Sequence, residues 1–148
     1  MKNGGILSQA RNFIADAGRE YPVEFAYIFG SQARGAENTG SDIDLALYFT
    51  KDYPKMEETL IRGYLIEMGK RYFTMQADII SLRCADLFLK YAVVKEGILI
   101  KDSDSDSRAD FESLTLREYF DFQYYSDFYN SAMIASIKEQ TYFGANHG

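Results

Sequence analysis

The sequence predicts an α+β fold, a small β-sheet flanked by helices and followed by a long C-terminal helix. Three observations carry that expectation. Apolar runs at 23–29, 43–49 and about 75–82 are short and bounded by Pro, Gly, Ser and Asp, as strands are. The segments before and between them instead repeat apolar residues at helical spacing. Past Ala109, the residues Leu116, Phe120, Tyr124, Phe128 and Ala132 recur every four positions, a helical pattern sustained to about Gln140. A length of 148 residues suits one domain, with a core at about 1–101 and a helical extension at about 109–141.

Taken in order, Ile6, Ala10, Phe13, Ile14 and Ala17 line one helical face, which Gly18 and Pro22 bring to an end. Val23 to Phe29 reads as a buried strand. In the second strand Ile43, Leu45, Leu47 and Phe49 share one face, and Asp42, Asp44, Ala46 and Tyr48 share the other. That alternation implies core on one side and chemistry on the other. Asp52 and Pro54 open a helix with an apolar face of Met56, Leu60, Ile61, Tyr64, Leu65 and Met68. It returns the chain to a third strand with Gln76, Asp78 and Ile80 on one face. Asp86 is placed to cap a helix carrying Leu87, Tyr91 and Val94, and Gly97 lies past its end. Ile98 to Ile100 is short enough for an edge strand, and Lys101 to Arg108 reads as a flexible segment before the last helix.

Composition narrows the function. A 47% hydrophobic content excludes disorder, and the 16% aromatic share promises large contact surfaces. The net charge of −6 argues against direct nucleic-acid binding. Cys84 is the single cysteine and has no internal disulfide partner, which fits a reducing, cytoplasmic setting. No apolar run approaches the roughly 18 residues of a membrane helix, and the N-terminus lacks a signal-peptide core.

The stretch from Phe29 to Asp44 carries the chemistry. An apolar strand ends in Gly30-Ser31, a turn of small residues follows, and the next strand opens with Asp42 and Asp44 on one face. Their Cα atoms lie about 7 Å apart, within reach of one Mg²⁺ site. Gly30 lets the backbone approach a ligand closely, and Ser31 offers a hydroxyl and an N–H to phosphate oxygens. A short helix beginning near Ser31 adds N-terminal N–H groups that favour a triphosphate. Asp78 stands in an otherwise apolar strand, where an unpaired charge is costly, and metal shared with Asp42 and Asp44 supplies a partner. The plainer readings are solvated acids for Asp42 and Asp44, and a carboxylate paired with Lys or Arg for Asp78.

Gly30-Ser31, ten residues and then Asp42-Ile43-Asp44 resemble the signature of the DNA polymerase β-like nucleotidyltransferase superfamily. The forms Gly30-Ser31-Gln32-Ala33-Arg34-Gly35 and Ser41-Asp42-Ile43-Asp44-Leu45 resemble its minimal nucleotidyltransferases, the MNT proteins, over about residues 20 to 101. The resemblance implies the polymerase β-like fold, with a small mixed sheet. It implies an ATP-dependent enzyme that moves AMP to a hydroxyl and releases pyrophosphate. Asp42 and Asp44 would hold two Mg²⁺ ions, Asp78 would contact metal and assist the nucleophile, and Gly30, Ser31 and Arg34 would meet the phosphates. Arg34 is otherwise an ordinary solvated helix residue. MNT proteins pair with HEPN ribonuclease toxins, so the resemblance implies a hetero-oligomer in which this chain adenylylates a toxin tyrosine as antitoxin. Two other readings stay open: transfer to a small molecule, as in aminoglycoside nucleotidyltransferases, and an antitoxin that masks its partner by binding alone.

Other motifs dissolve on inspection. Gly30 to Gly35 imitates a P-loop opening, but Ala36-Glu37 replaces the required Lys-Ser/Thr. Asp102, Asp104 and Asp106 imitate a calcium loop, but Ser107 and Ser113 stand where Gly and Glu are needed. His147 is the lone histidine, next to the C-terminus, and Cys84 lies in no nucleophile motif.

Overall fold

The computed structural model describes residues 2–30 and 42–147, with side-chain surroundings for 5–30 and 42–140. Helix α1 (Lys2–Ala17) leads into β1 (Val23–Phe29), which pairs antiparallel with β2 (Ile43–Phe49). Helix α2 (Lys55–Gly69) carries the chain back so that β3 (Ala77–Ser81) lies parallel to β2, the crossover that parallel pairing requires. Helix α3 (Leu87–Glu96), strand β4 (Ile98–Asp102) and helix α4 (Ser105–His147) complete the chain. The sheet order is β3-β2-β1-β4, mixed, with β3 and β4 at its edges. This is the expected α+β architecture.

The main core lies on one face of the sheet. Ile43, Leu45, Leu47 and Phe49 of β2 are fully buried there with Ala26 and Ile28 of β1, Phe13 and Ile14 of α1, and Ile61 and Leu65 of α2. The opposite face differs from the expectation of chemistry alone. Ala46 is fully buried and joins Phe25, Tyr27, Leu82 and Val93 in a second, smaller core, with Tyr48, Leu89 and Phe111 against it. Phe25 stacks on Tyr48 at 4.5 Å between ring centres, and Phe111 of α4 closes over both. Acids and apolar residues therefore share this face: Asp44 stands at one end, and α3 and α4 roof the remainder.

Other expectations are corrected. On α2 the buried residues are Glu58, Ile61, Leu65 and Gly69, whereas Met56 and Leu60 are exposed. Glu58 tolerates burial because the Ser81 hydroxyl and the Cys84 thiol donate to its Oε2, at 2.9 and 3.1 Å. The segment 101–108 is regular structure. It ends β4, turns through Ser103, whose N–H donates to the Glu24 carbonyl, and starts α4 at Ser105. Arg108 there bridges Asp102 and Glu112. Asp86 caps α3 as expected, accepting from the Leu89 N–H. Gly97 follows it in extended backbone, and a Cβ there would lie 2.5 Å from the Val93 carbonyl oxygen, so close approach explains this glycine.

The first turns of α4 are fastened to the sheet by the Tyr27 hydroxyl, which donates to Glu112 at 2.5 Å. Burial and this bond push the Tyr27 hydroxyl far above its ordinary pKa, so it remains a donor at every physiological pH. We expect Tyr27→Phe to lower the unfolding free energy by about 1–2 kcal/mol, the worth of a hydrogen bond to a charged acceptor that Arg108 continues to hold. A shifted urea midpoint with an unchanged slope checks this.

Candidate active site

The hairpin register sets Phe29 opposite Asp44, and the parallel register sets Asp44 beside Asp78. Residues paired across neighbouring strands point to the same face. Two carboxylates thus stand side by side at one end of β2 and β3, and Asp42, which the sequence places in the strand, lies just ahead of it. Gly30 closes β1 with φ of +77°, a backbone conformation that L side chains rarely adopt. A Cβ built on Gly30 would overlap the Asp44 Oδ2 atom. The sequence suggests that this glycine makes room for a ligand; in the structure it makes room for the Asp44 carboxylate.

Asp44 is half-buried, while Asp42 and Asp78 are exposed. The expectation that Asp78 pays a burial penalty is therefore corrected: β3 is an edge strand, and water reaches that carboxylate. The electrostatic tension falls on Asp44 instead. Its carboxyl is held above its ordinary pKa by burial first, then by the charge of Asp78, then by that of Asp42. Carboxylate oxygens are the hard donors that a hydrated divalent cation such as Mg²⁺ prefers, and Asp44 and Asp78 stand in neighbouring register. Among the described residues, however, no group of three or more His, Cys, Asp and Glu side chains forms a ready-made metal site. Ser31 and Arg34, the expected phosphate contacts, lie outside the described residues.

Two features escaped the sequence reading. Arg83 donates through Nε to the Phe49 carbonyl at 2.7 Å and lays its guanidinium over the Tyr48 ring at 4.3 Å, pinning the far end of β2. A cleft of about 340 Å³ beside α2 is lined by Lys55, Glu58, Arg62, Ser81 and Cys84, among others. Asp42, Asp44 and Asp78 are not among its lining residues. The hydrogen bond to Glu58, with burial, pushes the Cys84 thiol up, which keeps it protonated and a poor nucleophile.

The family described as Polymerase beta, Nucleotidyltransferase matches residues 12–106. No curated protein matches this chain. Among solved structures it resembles a toxin–antitoxin with AMP-PNP, at 24% identity and TM-score 0.65, covering 76% of this chain and 89% of that one. It also resembles the MntA–HepT toxin–antitoxin, at 23% identity and TM-score 0.59, covering 76% and 86%. A third similar structure is described as the tri-AMPylated Shewanella oneidensis HEPN toxin in complex with MNT antitoxin; identity is 22% and TM-score 0.62, covering 79% and 89%. These likenesses support the fold.

A carboxyl whose pKa is raised on folding takes up a proton as the chain folds. Its charge therefore costs stability above that pKa, and the cost disappears as pH falls through it. Asp44→Asn should accordingly raise the melting temperature at neutral pH, with the gain shrinking on acidification. In a carbon-13 NMR titration, Asp78→Asn should move the Asp44 midpoint down, since one of the charges opposing ionisation is gone. An unmoved midpoint would separate the two carboxylates.

Proposed function

The chain belongs to the polymerase beta nucleotidyltransferase family, and from that membership we propose an ATP-dependent adenylyltransferase that serves as antitoxin to a HEPN-type toxin. The observation that carries this reading is the junction of Gly30, Asp44 and Asp78, where one half-buried carboxylate is kept under strain by its acidic neighbours. A protein retains such repulsion where a cation and a polyanion relieve it. The nucleotide and the partner are supported by the similar structures, one a toxin–antitoxin with AMP-PNP and one an AMPylated HEPN toxin with its MNT antitoxin.

Asp42 and Asp44 would hold two Mg²⁺ ions, with Asp78 as a further ligand. When bound, they supply neutralising charge for the triphosphate and the departing pyrophosphate. Gly30 keeps the end of β1 free of a side chain where the nucleotide approaches, and Ser31 and Arg34 complete the proposed phosphate contacts. In the transfer, an acceptor hydroxyl oxygen bonds to the α-phosphorus while the bond from that phosphorus to the β-phosphate bridging oxygen breaks. Pyrophosphate leaves, and the hydroxyl proton passes to the Asp78 carboxylate. Exposure on an edge strand suits Asp78 to this task, because an acceptor carried by another protein can reach it. The proposed acceptor is a tyrosine of the toxin, where adenylate adds bulk and negative charge against incoming RNA phosphates. The proposed setting is the cytoplasm; among the described residues no helix is long and apolar enough to cross a membrane.

The test is to incubate the protein with Mg-ATP and a HEPN-type toxin, separate them under denaturing conditions, then weigh and refold the toxin. An added AMP with lost ribonuclease activity is expected, and Asp42→Asn with Asp44→Asn together should yield neither. An unmodified toxin that regains full activity would refute the enzymatic reading and leave inhibition by binding. Asp78→Asn is expected to slow transfer by about 100-fold or more while nucleotide binding survives in calorimetry, the pattern of a lost general base.

A further inference from the structure

Helix α4 does two different things along its length. Its first turns pack on the body: Thr115 is buried, and Tyr119 stacks on Tyr91 at 3.6 Å and nearly parallel. From Phe120 to Gln140 every residue except Ser126 is exposed. The exposed part is strongly apolar, with Tyr124 at 69% and Phe128 at 61% exposure. At 100° per residue, Arg117, Asp121, Tyr124, Ala132, Ala135 and Glu139 all fall within about 40° of Phe128, and Tyr119 falls on the opposite side. The ring-bearing side at Tyr124 and Phe128 therefore points away from α3, whereas Tyr129, Met133, Ile134 and Ile137, also exposed, turn to other sides of the helix.

We propose that this face pairs two copies of the chain, α4 against α4 and antiparallel, about a two-fold axis at Phe128. The inference is independent of the transfer reaction and rests on area, shape and charge. Phe120, Tyr124, Tyr125 and Phe128 together leave on the order of 500 Å² exposed per chain, most of the roughly 800 Å² per side of a stable interface. Small residues and end charges on the same face supply the remainder.

Shape and charge select the antiparallel arrangement. Positions equidistant from Phe128 meet across the axis, so Tyr124 meets Ala132 of the second copy and Tyr125 meets Ser131. Aromatic rings from one half of the helix find small residues in the other half, as close interhelical packing requires. Arg117 and Glu139 are equally far from Phe128, so each end of the pair joins a cation to an anion. Asp121 meets Ala135. A parallel pair would set Arg117 on Arg117, Asp121 on Asp121, Glu139 on Glu139 and ring on ring, with repulsion at all three charged positions.

Sedimentation velocity on the full chain, across a micromolar concentration series, tests this. The 16.9 kDa chain is expected to sediment as a species of twice that mass. Phe128→Glu puts two like charges on the axis and should weaken the dimer about 100-fold or more. Arg117→Glu alone should weaken it about fivefold, and Arg117→Glu combined with Glu139→Arg should restore it. Circular dichroism confirms that each variant keeps its helix content. A monomer at all concentrations overturns the proposal, as does a dimer indifferent to Phe128→Glu. Weakening without rescue by the charge swap overturns the antiparallel register. A monomeric chain whose HEPN-type toxin binding is lost in Phe128→Glu would assign the face to that toxin and equally overturn self-pairing.

Discussion

Like charges brought together at one end of a sheet are unfavourable unless something holds them there, and much of this structure does that holding. Asp44 is fixed between Gly30 on one strand and Asp78 on the other by two registers. A one-residue slip of β2 would turn Asp44 into the main core and bring Ile43 or Leu45 out of it, so core burial and site geometry are specified by the same pairing. The parallel partner requires the α2 crossover, and α2 in turn buries Ile61 and Leu65 against the core side of the strands. A second core on the opposite face, together with the Arg83 staple at the far end of β2, keeps the strand from yielding to the repulsion at its start.

The sequence announces the parts of this arrangement that depend on local pattern. Strand β1 spans Val23 to Phe29 as its apolar run indicates, and the alternation along β2 separates Leu45 and Leu47 from Asp44. Asp86 has the position and chemistry of a cap, and it serves as one. Tertiary partners are another matter. Met56 and Leu60 are apolar yet exposed, while Glu58 between them is buried, because its donors come from Ser81 and Cys84, more than twenty residues downstream. Periodicity within α2 carries no trace of them. The alternation that placed Asp78 on the face of Asp44 was legible, but its exposure follows from β3 being an edge, which is a property of strand order. The same holds for the 101–108 segment. Its polar composition suggested flexibility, yet Arg108 pairs with Asp102 and the Ser107 hydroxyl donates to Glu24 of β1.

Gly30, singled out in the sequence for ligand approach, has in the structure a role toward the protein itself. A glycine closing a strand before a phosphate-binding turn suggests backbone approach to a ligand, and its φ of +77° fits that use. The space freed by its missing Cβ is filled by a carboxylate of the protein itself. The proposed ligand-facing role and the observed protein-facing one are compatible, because an acid that is to hold an ion must first be seated. Substituting Gly30 would displace the Asp44 carboxylate, since a Cβ there overlaps it.

Helix α4 raises the complementary question of what lets a helix continue where the body no longer supports it. Forty-three residues span about 65 Å at the ordinary helical rise, far more than the body covers. Isolated helices gain little from propensity in water, and Phe and Tyr are only middling helix formers. The early turns are stabilised by Glu112 with Tyr27 and Arg108, and by the Tyr91–Tyr119 stack. Beyond Phe122 every residue to Gln140 except Ser126 is exposed, while the aromatic content stays high. Neighbouring rings on the helix, Tyr124 with Tyr125 and Phe128 with Tyr129, touch one another but leave more than half of each surface in water. Ring-to-ring contact along one helix thus recovers only a fraction of the burial available to these residues. A facing helix with small residues opposite the rings recovers much more.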